Sequence, residues 1–269
     1  MSLIDAKTHL LDTVLPHILQ EPRFKRFIDT NKISPIILGG VNYTRCIERK
    51  QSLYSGDIDL KFILEENVND NETENPTLLK IHRFRLRFLK RVQSILNEDY
   101  GIETVIRLPQ ASGHSVNTFA WRVELLLPPI ENKQVLMDTG IWTNFNKPHL
   151  KSFNKIFKSK SLVPMTTMNG INYPTCEWNF LDLVRMIEES LQVCIIKEND
   201  PYWTSKLDKY MERFAHSYAI LKRENKKASE FKDVYESLSK SIKGVKMYSK
   251  LFEKNPAYIQ FTQLKRMKL

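Results

Sequence analysis

Two adjacent glycines close one apolar run, and two aspartates one residue apart open the next; no other feature limits the possible folds of this chain as much. The stretch from Ser34 to Ile63 reads SPIILGGVNYTRCIERKQSLYSGDIDLKFI. Asp57 and Asp59 alternate with Ile58 and Leu60. That alternation predicts a strand over Asp57–Leu64 with one apolar face and one face carrying both carboxylates. Residues i and i+2 of a strand stand ~6–7 Å apart on the same side. Only 8 glycines occur among 269 residues, so two in succession after the strand expected at Ser34–Leu38 point to a backbone requirement. Positive φ or close approach to a ligand are the two that glycine meets.

Like charges held together among apolar neighbours repel, and burying them unpaired is costly. A divalent cation relieves both problems. Carboxylate oxygens suit Mg²⁺ or Mn²⁺, which also draw phosphate groups to the site. A solvated strand edge explains an isolated D-x-D, but the apolar flanks and the glycine pair here favour a metal site. A third carboxylate comes from Asp138 in VLMDTGIW or from Glu124 in WRVELLL. Asp138 has the more apolar flanks, and Arg122 can satisfy Glu124 by an ordinary ion pair. Asp138 is therefore favoured and Glu124 is the alternative. Asp57, Asp59 and Asp138 together would hold two ions, one activating an attacking hydroxyl and one holding a triphosphate. The glycine pair, Gly39 and Gly40, would offer backbone N–H groups to the phosphates.

The formal charge of +10 favours a polyanionic partner. Basic residues concentrate on a helix expected over Leu78–Asn97. Ile81, Phe84, Phe88, Val92 and Ile95 form its apolar face; Lys80, Arg83, Arg87, Lys90 and Arg91 lie opposite, with Arg85 between. These five basic residues are candidates for contact with an RNA backbone. Residues 5–29 read as helix broken at Pro16 and Pro22, and 66–76 as an acidic loop. A further strand is expected at Ile102–Leu108, and a hairpin with arms at Phe119–Leu127 and Gln134–Trp142.

From Lys151 the pattern turns helical, with a turn at MNGINYPT and helices over CEWNFLDLVRMIEESL, Trp203–Glu224 and Ser229–Glu253. The last carries Lys240, Lys243, Lys246, Lys250 and Lys254. The expectation is an α+β fold: a mixed-sheet catalytic domain over 1–150 and a helical nucleotide- and RNA-binding domain over 151–269. Three cysteines without C-x-x-C read as reduced thiols. No apolar run reaches the roughly 18 residues of a membrane span, and no signal-peptide pattern opens the chain. A cytoplasmic protein without a membrane partner is expected. Phosphate-loop, H-E-x-x-H and Cys/His metal motifs do not occur.

The glycine pair followed by D-h-D-h, where h is apolar, resembles the signature of the DNA polymerase β-like nucleotidyltransferase superfamily. LGGVNYTRCI, SGDIDLKF, LMDTGIW, NGINYPTCEWNFLDLVRMIEES and KLDKYMERF are together similar to the poly(A) polymerase catalytic subunits of poxviruses and other large cytoplasmic DNA viruses. The likeness spans Ile33 to Leu221. It implies a viral enzyme that adds AMP from ATP to mRNA 3′ ends, with Asp57, Asp59 and Asp138 as metal ligands and Gly39 and Gly40 as the triphosphate loop. It also implies nucleotide contacts at Tyr173, Arg185, Lys206 and Lys209, and a processivity or cap-modifying partner subunit. Val41 departs from the pattern, since many superfamily members carry Ser after the glycines. The chain is also shorter than those enzymes. Two other readings stay open: a toxin-type nucleotidyltransferase that modifies tRNA or protein, and an inactive RNA-binding subunit with the same fold.

Overall fold

Strands β1 (Ile33–Leu38) and β2 (Ile58–Leu64) pair antiparallel at the middle of a seven-stranded mixed sheet. The coordinates are a computed structural model, which describes residues 3–46, 56–64, 75–108, 122–132, 134–143, 165–176 and 200–223, with 179, 182–183, 186–187, 190, 193–194 and 197 between the last two. Arg185, the helix expected over 229–253 and most of the 66–76 loop lie outside the described residues.

The remaining strands are β3 (Val105–Arg107), β4 (Val123–Leu127), β5 (Gln134–Thr143), β6 (Met165–Met168) and β7 (Ile171–Pro174). The sheet order is β3-β4-β5-β2-β1-β7-β6. β5 joins β2 in parallel and β4 in antiparallel, and β7 joins the other edge of β1 in parallel. The protein is thus a mixed α+β structure, and the expected hairpin of β4 and β5 forms.

Helices cover one face of the sheet. α1 (Leu3–His9), a π-helical turn (Leu10–Val14) and α2 (Leu15–Gln20) run on through Pro16, where a break was expected. Pro16 stands where the π-helical turn passes into α2, so its missing N–H falls at a change of hydrogen-bond register. The chain does turn at Glu21, and α3 (Pro22–Thr30) begins with Pro22 in its first turn. α4 (Gly39–Cys46) follows β1, and α5 (Pro76–Tyr100) lies across the core.

Alternation decides which side of β2 these helices meet. Ile58, Leu60 and Phe62 point into the core with Leu10, Leu15, Ile81, Phe88 and Val92. Phe62 meets Phe84 and Phe88 edge to face, each at 5.6 Å between centroids. Asp59 and Lys61 therefore project from the opposite face.

The sheet belongs to a unit of the chain that continues to Thr175, and α6 (Pro201–Arg223) to a second unit that resumes at Cys176. β6 and β7 lie beyond residue 150, in a stretch read from sequence as a turn before helix. Asn169 (φ 50°) and Gly170 (φ 74°) make the tight connection between them. Two successive positive φ values are what a type I′ hairpin needs, and Asn-Gly supplies them cheaply. Cys46 and Cys176 are disulfide-bonded and Cys194 is a buried free thiol, against the expectation of three reduced cysteines. β7 runs beside β1, so the chain leaving β7 returns to the neighbourhood of α4; sequence spacing alone does not reveal that. Among the described residues no helix is long and apolar enough to cross a membrane.

α5 has a defined start and stop. The Asn75 side chain accepts hydrogen bonds from the N–H groups of Thr77 (2.9 Å) and Leu78 (3.3 Å), and Gly101 ends the helix at φ 63°. Replacing Asn75 with Ala should cost about 1 kcal/mol in urea denaturation, and replacing it with Gly only a few tenths. An Asn75→Ala variant as stable as the unsubstituted protein would show that the side-chain cap contributes nothing.

Candidate metal centre

Strand register assembles the acids. Asp59 of β2 lies beside Asp138 of the parallel β5, and Asp138 lies beside Glu124 of β4, so all three side chains share the face away from the helices. Asp57, just ahead of β2, points the same way. Asp57, Asp59 and Asp138 each offer an oxygen within 4.8 Å of the others'. Asp138 is buried, while Asp57 and Asp59 are half-buried. Three hard oxygen donors this close could hold a divalent ion.

Glycine makes room for the group. Leu38 pairs with Asp59, so Gly39 arrives directly against that carboxylate. A Cβ at Gly39 would run into the Asp59 side chain, and the residue's φ of +64° is one that other residues rarely adopt. Gly40 is next in α4, and its carbonyl accepts from the Thr44 hydroxyl at 2.9 Å.

The negative charge is met from the same strands. The Lys61 ammonium donates to Asp138 Oδ1 at 2.6 Å and lies 3.7 Å from Asp59 Oδ1. Its stem passes over Gly140, where a Cβ would come within 3.1 Å of Lys61 Cδ. Burial disfavours the Lys61 ammonium, but Asp138 and Asp59 outweigh it and raise its pKa above the ordinary lysine value. Arg122 donates to Asp138 Oδ2 at 3.3 Å and also bonds Glu124. Arg107 donates through Nε to Glu124 at 2.7 Å. Glu124 is thus held by two guanidiniums, while Asp138 joins the other aspartates.

Burial pushes the Asp59 carboxyl up to about 6; Lys61 opposes the rise, and Asp138 and Asp57 add to it. On the helix side of β5, the fully buried Arg85 donates to the carbonyl of Thr139 at 3.3 Å and to His82 Nδ1 at 2.6 Å. Arginine only donates, so His82 Nδ1 accepts and the ring carries its proton on Nε2. Burial and then Arg85 lower His82 to about 4, which keeps it neutral at neutral pH. Burial lowers Arg85 to about 9, and the charge of Asp138 holds it from falling further. Arg85, expected between the two faces of α5, is part of its buried side.

Tyr173 is buried on β7, with the Arg45 guanidinium 5.3 Å from its ring. Arg45 also donates to the Pro174 carbonyl at 2.8 Å and to Asn42 Oδ1. Lys206 and Lys209 are on α6 in the second unit, where Lys206 Nζ lies 4.7 Å from the Tyr202 ring and Lys209 Nζ 5.3 Å from that of Tyr210. Lys80, Arg83, Arg87 and Lys90 line the exposed side of α5, and Arg91 is half-buried beside them. Because α5 packs on the Phe62 side, these five lie across the sheet from the carboxylates. Lys61 was missed in the sequence, although its place two residues after Asp59 put it on the same face.

Asp59 ties stability to pH. Its pKa is higher folded than unfolded, so the folded state binds the extra proton and loses stability as pH rises from about 4 through about 6. In EDTA, Asp59→Asn should exceed the unsubstituted protein in unfolding free energy by on the order of 1–3 kcal/mol above pH 7, and should match it below pH 4. Stability profiles that stay parallel across this range would contradict the raised pKa. The two candidates for third carboxylate separate in calorimetric Mn²⁺ titrations. Asp138→Asn should weaken binding at least about tenfold, whereas Glu124→Gln should change it little.

No family model matches the sequence, and no curated protein matches it. Among solved structures, the crystal structure of the Megavirus polyadenylate synthase is similar at a TM-score of 0.31 and 17% sequence identity, over 68% of this chain and 29% of that one. The aligned part is thus less than a third of that protein's length.

Proposed function

We propose that this protein is a template-independent RNA nucleotidyltransferase that adds AMP from ATP to RNA 3′ ends. The observation that carries the reading is the aspartate cluster: Asp57, Asp59 and Asp138 with oxygens within 4.8 Å, Asp59 and Asp138 in register on adjacent strands and Asp57 just ahead of β2. The donor set fits Mg²⁺ or Mn²⁺, being all carboxylate and already carrying excess negative charge. When bound, such ions supply Lewis acidity at the reacting phosphoryl group and the acceptor hydroxyl.

The chain's own residues do the rest. With a pKa of about 6, Asp59 is ionised at neutral pH and available as a ligand. Asp138 is fixed by β5 and oriented by Lys61 and Arg122. Lys61 holds Asp59 and Asp138 together by its charge. Gly39 allows the backbone to pass against the site, where N–H groups of Gly39 and Gly40 would bind the triphosphate. Tyr173, Arg185, Lys206 and Lys209 are proposed as nucleotide contacts, and Lys80, Arg83, Arg87, Lys90 and Arg91 as RNA contacts. The superfamily resemblance supports a polymerase β-like catalytic domain, expected over 1–150 but including β6 and β7 of the same sheet, followed by a helical domain over the rest of 151–269, a cytoplasmic viral setting and a processivity or cap-modifying partner.

The test incubates the protein with Mg²⁺ or Mn²⁺, a labelled oligoribonucleotide and each nucleoside triphosphate in turn. A ladder with ATP that falls at least ~10²-fold in Asp57→Ala/Asp59→Ala is the expected result. Addition of a single nucleotide to tRNA or protein would replace this reading with the toxin-type one. RNA binding without extension by any nucleotide would replace it with a binding subunit.

A further inference from the structure

Between α3 and α5 lies a groove of about 580 Å³, on the side of the molecule away from the aspartates. Phe27 and Phe84 stack in its floor at 4.3 Å and 5° between ring planes. Arg23, Arg87, Lys90 and Arg91 line it. Glu21 is the acid beside them; it binds Arg91 at 2.7 Å and Arg23 at 3.1 Å, and so fixes two guanidiniums at the rim. Arg87 and Lys90 have no carboxylate within salt-bridge distance among the described residues. Both are exposed, as are Lys80 and Arg83 farther along the same helix.

This arrangement lacks negative charge. Four cations share one carboxylate, and the two nearest the middle of α5 have none. Arg83, Arg87 and Lys90 follow each other at three- and four-residue steps, which places their stems about 5–6 Å apart along the helix. A phosphodiester backbone can follow such a row. The guanidiniums of Arg23 and Arg91, held by Glu21 at the rim, add a second kind of contact, because an unpaired base can stack on a guanidinium. An acidic peptide would satisfy the cations but would bring no flat group for the guanidiniums.

We propose that the α3–α5 groove grips single-stranded RNA upstream of the reacting end. This rests on the nucleotidyltransferase reading for the identity of the acceptor. Since the groove and the aspartates are on opposite faces of the sheet, the strand in the groove is not the 3′ terminus undergoing reaction. The groove is an anchor, and it would retain the RNA between successive additions.

Fluorescence anisotropy of a labelled oligoribonucleotide with the full chain tests this without turnover. Arg87→Glu/Lys90→Glu should weaken binding at least tenfold and make the dependence on log salt shallower by roughly 1.4, the loss of about two phosphate contacts. Arg87→Gln/Lys90→Gln should shift both in the same direction by less, and it serves if charge reversal prevents folding. Asp57→Ala/Asp59→Ala should keep the unsubstituted salt slope, so a failure of the catalytic reading leaves the groove still measurable. Unchanged affinity and slope in both groove variants would overturn the proposal. So would polyglutamate competing as well as RNA at equal charge, which would mark the groove as a surface for an acidic protein.

Discussion

Carboxylates crowded on the face of a sheet must be met by positive charge, and most of the arrangement around them follows from that need. Parallel pairing of β2 with β5 sets Asp59 against Asp138 before any ligand is considered. Lys61 and Arg122 reach Asp138 from neighbouring strands. Arg107 and Arg122 take up Glu124, so a fourth acid in the same row does not add to the cluster's charge. Asp138 and Glu124 each have two cationic partners and share Arg122, so the row of buried acids is neutralised as a network rather than pair by pair.

The helix side of the sheet bears on the same balance. Arg85 is wholly buried, yet its guanidinium reaches the Thr139 carbonyl one residue beyond Asp138. Its positive charge lies behind the strand that carries the most buried aspartate. His82 completes the arrangement as a neutral acceptor. The aromatic cluster of Phe24, Phe62, Phe84 and Phe88 keeps water from this layer, which strengthens each charge interaction near it.

The parts legible in the sequence were those written in a short period. Alternation around Asp57 and Asp59 foretold β2 and the shared face of its acids, and spacing along Leu78–Asn97 foretold α5. Asp138 stood out because an acid between apolar neighbours needs a reason. What the sequence hid were pairings over distance. Lys61 and Arg85 are separated from their partners on β5 by 77 and 54 residues, and a lysine on a strand reads by default as solvated. The strands of the Asn169-Gly170 hairpin are four residues each, too short for alternation to register, although the dipeptide itself was the signal. Pro16 was read as a break because periodicity does not foresee a π-helical turn that lets the helix run on.

β7 reaches the sheet last, and this bears on how the chain is made. A growing polypeptide holds every strand that carries the aspartates once residue 143 has emerged, since β2, β4 and β5 are then all present. The open edge of β1 waits for Asn172 to pair with Ile36. Without that pairing β1 would be an edge strand of the sheet. An uncapped edge is where strands of other chains add. The hairpin of β6 and β7 therefore closes an edge of β1 that the sequence before residue 165 leaves without a partner strand.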